Sequence, residues 1–234
     1  MRKMFFPVAL ALFTSGAVLA QNDRPKIEGS GNLIIREFPV SSFDELNAAG
    51  VFHLQLSQGA REQVKIEAED NLMDLFEVKN EGGALEIRMK KDVSFNSKKK
   101  MKVYVTFRSL KKLTLAMVGG TSSDEELNFS DLKFHNRSVG SVDLSLKLKS
   151  LDLENQSVGS VRLRGSADKA VIRTNSVGSI QAGDFVVQSM EVDNNGVGSA
   201  TVNAEKALKV KDSFLGKVHN KGKATVKKTT RQVI

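Results

Sequence analysis

Two pairs of carboxylates two residues apart, Asp152/Glu154 and Glu191/Asp193, are the side chains best spaced to do chemistry. On an extended strand, alternate residues share a face and lie roughly 7 Å apart. At that separation an acid and a base can flank a glycosidic bond, so the reaction class they would serve is a polysaccharide lyase or hydrolase. A second pattern, Ser-Val-Gly-Ser, superficially matches the sharp turn that presents a nucleophilic serine. That device needs a strand-to-helix turn and a paired histidine, and here the four residues occur at 138–141, 157–160 and 176–179. A motif in several copies is architecture. His53, His135 and His219 show no ligand spacing, and neither a phosphate-loop nor a dinucleotide motif is present. No metal, cofactor or catalytic residue is expected.

Charge offers a different chemistry. The chain carries a formal +8, part of it in Lys98, Lys99, Lys100 and Lys102 and part between Lys217 and Arg231. Basic clusters can meet phosphates, anionic lipid or acidic glycans, and they also serve as solvated loops and tails. The four lysines at 98–102 are the candidate binding residues. Nucleic acid is not an expected partner, because there is no Trp and only Tyr104 among tyrosines, hence no aromatic platform beside the basic runs.

The elements that must hold these residues are repeats. Gly140, Gly159, Gly178, Gly198 and Gly216 align at spacings of 19, 19, 20 and 18, the last two within worn copies, and Met117-Val118-Gly119 is a looser copy. Eight and six residues before the glycines stand apolar pairs such as Leu132/Phe134 and Leu151/Leu153; two residues after stand Val142, Val161, Ile180, Ala200 and Val218. This is the period-2 pattern of short strands joined by glycine turns. One 19-residue unit cannot cover the entropy of its own ordering, so the units must stack on one another as a parallel β-solenoid. Outward pairs seven and five residues before each glycine alternate in sign, Lys133/His135, Asp152/Glu154, Val171/Arg173, Glu191/Asp193 and Lys209/Lys211. In-register stacking sets opposite charges across neighbouring strands, which favours surface pairing over catalysis for both carboxylate pairs. Four residues before each glycine stand Asn136, Asn155, Thr174, Asn194 and Asp212. Such residues at a turn suit a polar ladder along the axis; the alternative is a ligand site.

The ends imply export. Arg2 and Lys3 precede an apolar run from Phe5 to Leu12, and Val18 and Ala20 fit a small-residue cleavage site, so residues 1–20 are expected to be a signal peptide and the mature chain to begin near Gln21. The chain has no cysteine, which excludes a disulfide framework and a lipidated cysteine. The expected location is the periplasm or cell surface, with no transmembrane helix in the mature chain. Residues 21–115 read as a less regular β-rich N-terminal half, 116–222 as the solenoid, and 223–234 as a C-terminal tail or cap that either blunts the open end or mediates self-association. Asp70 to Phe76 is expected to form one helical turn capped by Asp70.

Several residues in order resemble the head-GIN domain family, also labelled an auto-transporter adhesin domain: Phe43, then Gly50-Val51, Gln58-Gly59, the strand Gly83 to Ile87, Leu110 to Leu115, the Ser-x-Gly-Ser turns, and Gly216 to Gly222 as the closing turn. The likeness covers about residues 29 to 223. It departs where Val139, Val158, Val177 and Val197 stand in place of a second glycine, and where Asn220 and Ala224 replace an aromatic and a proline, which implies a looser closing turn. The resemblance implies an all-β, right-handed parallel β-helix and a role outside the cytoplasm. The function expected is a non-catalytic, adhesin-like binding or scaffolding module of the cell envelope, with envelope glycans or surface proteins as partners.

Overall fold

A computed structural model describes residues 26–212 and 216–228. The proposed signal peptide at 1–20, the mature start near Gln21, Phe214-Leu215 of the last worn repeat, and residues 229–234 of the tail lie outside the described residues.

The strands are β1 (Lys26–Glu28), β2 (Leu33–Phe38), β3 (Glu45–Val51), β4 (His53–Gln58), β5 (Gln63–Glu69), β6 (Phe76–Glu81), β7 (Ala84–Met89), β8 (Ser94–Asn96), β9 (Lys102–Phe107), β10 (Lys112–Val118), β11 (Thr121–Asn136), β12 (Val142–Asn155), β13 (Val161–Thr174), β14 (Ile180–Asn194), β15 (Ala200–Asp212), β16 (Val218–Asn220) and β17 (Val226–Lys228). The only helix among the described residues is a 3-10 turn, Asp70–Leu75; Glu69, not Asp70, holds its cap position, without a side-chain cap.

Strands β10 to β15 stack in parallel, with bulges between β11 and β12, β13 and β14, and β14 and β15 in their first halves and an unbroken register in their second: Leu132 against Leu151, Leu151 against Ala170, Ala170 against Met190, Met190 against Leu208. The inward residues at these positions are buried, and Phe134, Leu153, Ile172, Val192 and Val210 form the next layer of the same core. Each coil is one long strand that bends near its middle, where two short strands were expected. The glycine corner lies between coils: Gly159 has φ of 134°, and a Cβ there would run into the carbonyl of Gly140 beneath it. Gly140, Gly178 and Gly198 repeat the arrangement. The valine before each corner stays outside, half exposed, and bridges to its neighbour in a column from Val118 through Val139, Val158 and Val177 to Val197.

The ladder does not stop at residue 116. Strand β10 crosses that point and pairs in parallel with β3, with Val118 over Val51, and β3 pairs with β7. Below Gly119 the corner position is filled by Phe52, so no repeated glycine marks this earlier coil in the sequence. Strands β4, β9, β5 and β2 continue the sheet around the N-terminal end, β5 running antiparallel to both its neighbours. At the other end β16 and β17 both pair with β15. The closing turn is not loose: the Asn220 side chain accepts from Ala204 N and Gly222 N and donates to the carbonyls of Ala204, Gly222 and Ala224. An amide here replaces ring packing with hydrogen bonds.

Candidate ligand-binding groove

Each coil bends where its first half meets its second, and the bends align into a groove along the stack, with a volume of about 1330 Å³. In register along its floor lie Phe129, Leu148 and Ala167. The side chain shrinks at each step, so the floor tapers. Asn128, Lys147, Ser166 and Val186 align on one side of the floor. Ser130, Lys149, Asp168 and Gln188, one residue beyond the floor positions of their strands or beyond Val187, line the other. Lys111, Lys112 and Glu45 close the N-terminal end, with Asp131, Lys133 and His135 nearby.

Two features shape the bend. Gly165, with φ of 103°, sits directly against the backbone of Leu146, and any Cβ would collide with it; a glycine inside a strand marks such a bend. At the upper end Gln58 acts like an extra strand residue: its Nε2 donates to Arg108 O (2.9 Å) and Asn128 O (3.0 Å), and its Oε1 accepts from Asn128 N (2.9 Å). Phe129 then stacks on buried Phe107, with ring centroids 5.8 Å apart. The Gln58-Gly59 pair was visible in the sequence; its role at the groove was not.

The cations of the groove fall into two groups. Lys111 pairs with Asp44 at 2.6 Å and Lys112 with Glu45 at 3.0 Å; the Asp44 hydrogen bond and charge raise the Lys111 pKa. Lys133, Lys147 and Lys149 are exposed and have no ion pair among the described residues. Lys133 stands in register with Lys112 on one side and Asp152 on the other, but Asp152 reaches diagonally to Arg173 at 2.6 Å because Val171 occupies the facing position. Sign alternation therefore fails between Lys112 and Lys133.

The residues singled out from the sequence lie elsewhere. Lys98, Lys99 and Lys100 are exposed on a loop whose backbone wraps a fully buried carboxylate: Glu69 accepts from Gly31 N (2.6 Å), Ser97 Oγ (2.6 Å), Lys98 N (3.0 Å) and Lys99 N (3.4 Å). Burial works to raise the Glu69 pKa, but the hydrogen bonds from Ser97 and the three backbone amides outweigh it and hold the pKa below its ordinary value. Lys102 is held by Glu67, its first neighbour in raising its pKa, which also accepts from the Tyr104 hydroxyl. None of the four lines the groove. In the polar column, Asn136 Nδ2 donates to Asn155 Oδ1 (2.9 Å) and Asn155 Nδ2 to Thr174 Oγ1 and Ser176 Oγ (3.2 Å each), all buried. The run ends there: Asn194 turns to its own corner, donating to Gly198 O, and Asp212 pairs with Lys228. Gly216 lies against the Asn194 side chain. The carboxylate pairs are engaged between coils, Asp152 with Arg173, Glu154 with His135 at 3.0 Å, and Glu191 with Lys209 at 3.4 Å, and none of them lines the groove.

Residues 42–224 match the family described as "Putative auto-transporter adhesin, head GIN domain". Among solved structures, a "putative adhesin" from Bacteroides fragilis is 28% identical, with a TM-score of 0.76 over 87% of this chain and 100% of that one. A "putative lipid binding protein" from Parabacteroides distasonis shares the fold at 18% identity and a TM-score of 0.65, over 88% of this chain and 96% of the other. A "putative adhesin" from Parabacteroides merdae does so at 18% and 0.58, over 88% and 95%. No curated protein matches the sequence.

Proposed function

We propose, from the premise that this chain belongs to the head GIN domain family, that it is an exported adhesin-like protein whose axial groove holds an extended polymer of the cell envelope or its surroundings. The family and its structural relative from Bacteroides fragilis, both described as "putative" adhesins, support a non-catalytic binding role. The polymer reading is carried by one observation: the groove runs across successive coils of the stack, with an apolar floor and polar sides. A long concave face of this kind suits a long partner. It also lies apart from the carboxylate pairs Asp152/Glu154 and Glu191/Asp193.

The test is binding of the labelled mature chain to envelope preparations and intact cells, beside Ser166→Trp, whose ring lies across the groove. Envelope binding that the substitution abolishes, with the melting temperature unchanged, supports the reading; equal binding by the variant refutes it. Export rests on residues 1–20. The N-terminus of protein recovered from the envelope fraction should begin near Gln21, and an intact Met1 there would contradict a cleaved signal.

A further inference from the structure

We propose that the groove takes a polysaccharide bearing carboxylates at intervals, laid along the stack axis, with Lys133, Lys147 and Lys149 as its anion-binding residues; this rests on the polymer-binding reading above. Three observations lead to it. First, Lys112 and Lys133 stand side by side on neighbouring strands about 4.8 Å apart. Lys112 is already held by Glu45 at 3.0 Å, whereas Asp152, which faces Lys133, turns away to Arg173. Lys133 thus stands beside a like charge without an ion pair among the described residues, which is destabilising. An anion beside Lys133 removes that repulsion. Second, Lys147 and Lys149 flank the floor residue Leu148 and have no carboxylate partner among the described residues. They hold a cation on each side of the groove at the same height.

Third, the groove is a sheet face and not a sheet edge. Most backbone groups of β11 to β14 are used in the ladder between coils, which skips only Ser130, Lys149, Asp168 and Gln188 along the groove, so no free strand edge is offered to a peptide. A ligand is read mainly by side chains. Asn128, Ser130, Ser166 and Gln188 offer amides and hydroxyls beside an apolar floor, which suits sugar rings that present an apolar face below and hydroxyls to the sides.

Asp131 and Asp168 also face the groove. They repel a ligand charged at every unit and tolerate one whose carboxylates are separated by neutral sugars. This selects against densely sulfated chains and gives the proposal a sign that a general preference for anions lacks.

The experiment is calorimetric titration of the full mature chain with three oligosaccharides of equal length. These are hyaluronan, which alternates uronate and neutral units, chitin, which is neutral, and heparin, which is densely charged. Hyaluronan is expected to bind at least about tenfold more tightly than either. Lys147→Gln/Lys149→Gln is expected to lose about tenfold or more, as removal of charge-assisted contacts does. Lys133→Gln is a second reporter should the double variant fold poorly. Asp168→Asn is expected to tighten heparin binding, and Lys98→Gln/Lys99→Gln/Lys100→Gln to change nothing. The proposal is overturned by chitin binding as tightly as hyaluronan, by unchanged binding in the lysine variants, or by heparin binding most tightly. Envelope binding blocked by Ser166→Trp without any hyaluronan binding sinks the ligand class alone; loss of both sinks the polymer reading as well.

Discussion

Asn155 and Glu69 are two buried polar residues with opposite visibility in the sequence. Asn155 sits in the polar column at the expected four-residue offset from its glycine. Its amide donates to Thr174 and Ser176 and accepts from Asn136 and Ser157. Asn155→Ala strands those partners in a buried corner and is expected to cost about 1–3 kcal/mol, measured by urea unfolding. Asp152→Asn, which removes one exposed ion pair, is expected to cost under about 1 kcal/mol. Glu69 follows the inward Ala68 directly, so the alternation that marks β5 as a strand predicts an outward side chain. It is buried because the 97–99 loop folds its amides over the carboxylate, a tertiary event without a local signature. Its folded pKa lies below its unfolded one, so its stabilisation is complete above the ordinary glutamate value of about 4.3 and is lost as pH falls through the folded value. Glu69→Gln is therefore expected to be less stable than the parent at pH 7, the gap narrowing as thermal melts are taken below about pH 4.

The coil is the element that the sequence made legible, for a physical reason. Inward positions must be apolar in every copy, and the corner must be glycine wherever a Cβ would strike the coil beneath, so both recur at a fixed spacing. The groove obeys no such rule. At one register its floor is Phe129, then Leu148, then Ala167, and its sides mix amides, hydroxyls and charges. Residues that vary between copies look like noise against residues that repeat, and the earliest coil was hidden for the same reason, since Phe52 fills its corner. Because neighbouring coils differ little in backbone, one can be removed. Deletion of residues 156–174 joins Asn155 to Asn175 in register and is expected to leave a cooperative β-rich fold with a lower melting temperature. Deletion of residues 156–165 joins unlike points of two coils and is expected to abolish the cooperative transition. Circular dichroism melts of the two proteins make the comparison.

At the scale of the molecule, the stack must end without offering its last strand to another copy. Strand β17 covers Leu208 and Val210 of β15 and places Lys227 and Lys228 on the open edge, where charge discourages pairing. Removal of residues 223–234 is expected to raise the mass seen in light scattering above that of the intact chain by self-association; an unchanged mass would show that β17 is dispensable as a cap. The glycine column gives the stack a further property, a direction. Each corner glycine is shaped around the carbonyl of the coil before it, never the coil after. A chain emerging N-terminus first thus finds each corner's template already made, and along β12 to β15 the strand ladder reaches back only one coil. Each of these coils can therefore be laid on a finished neighbour as it arrives, one at a time and without waiting for the chain that follows.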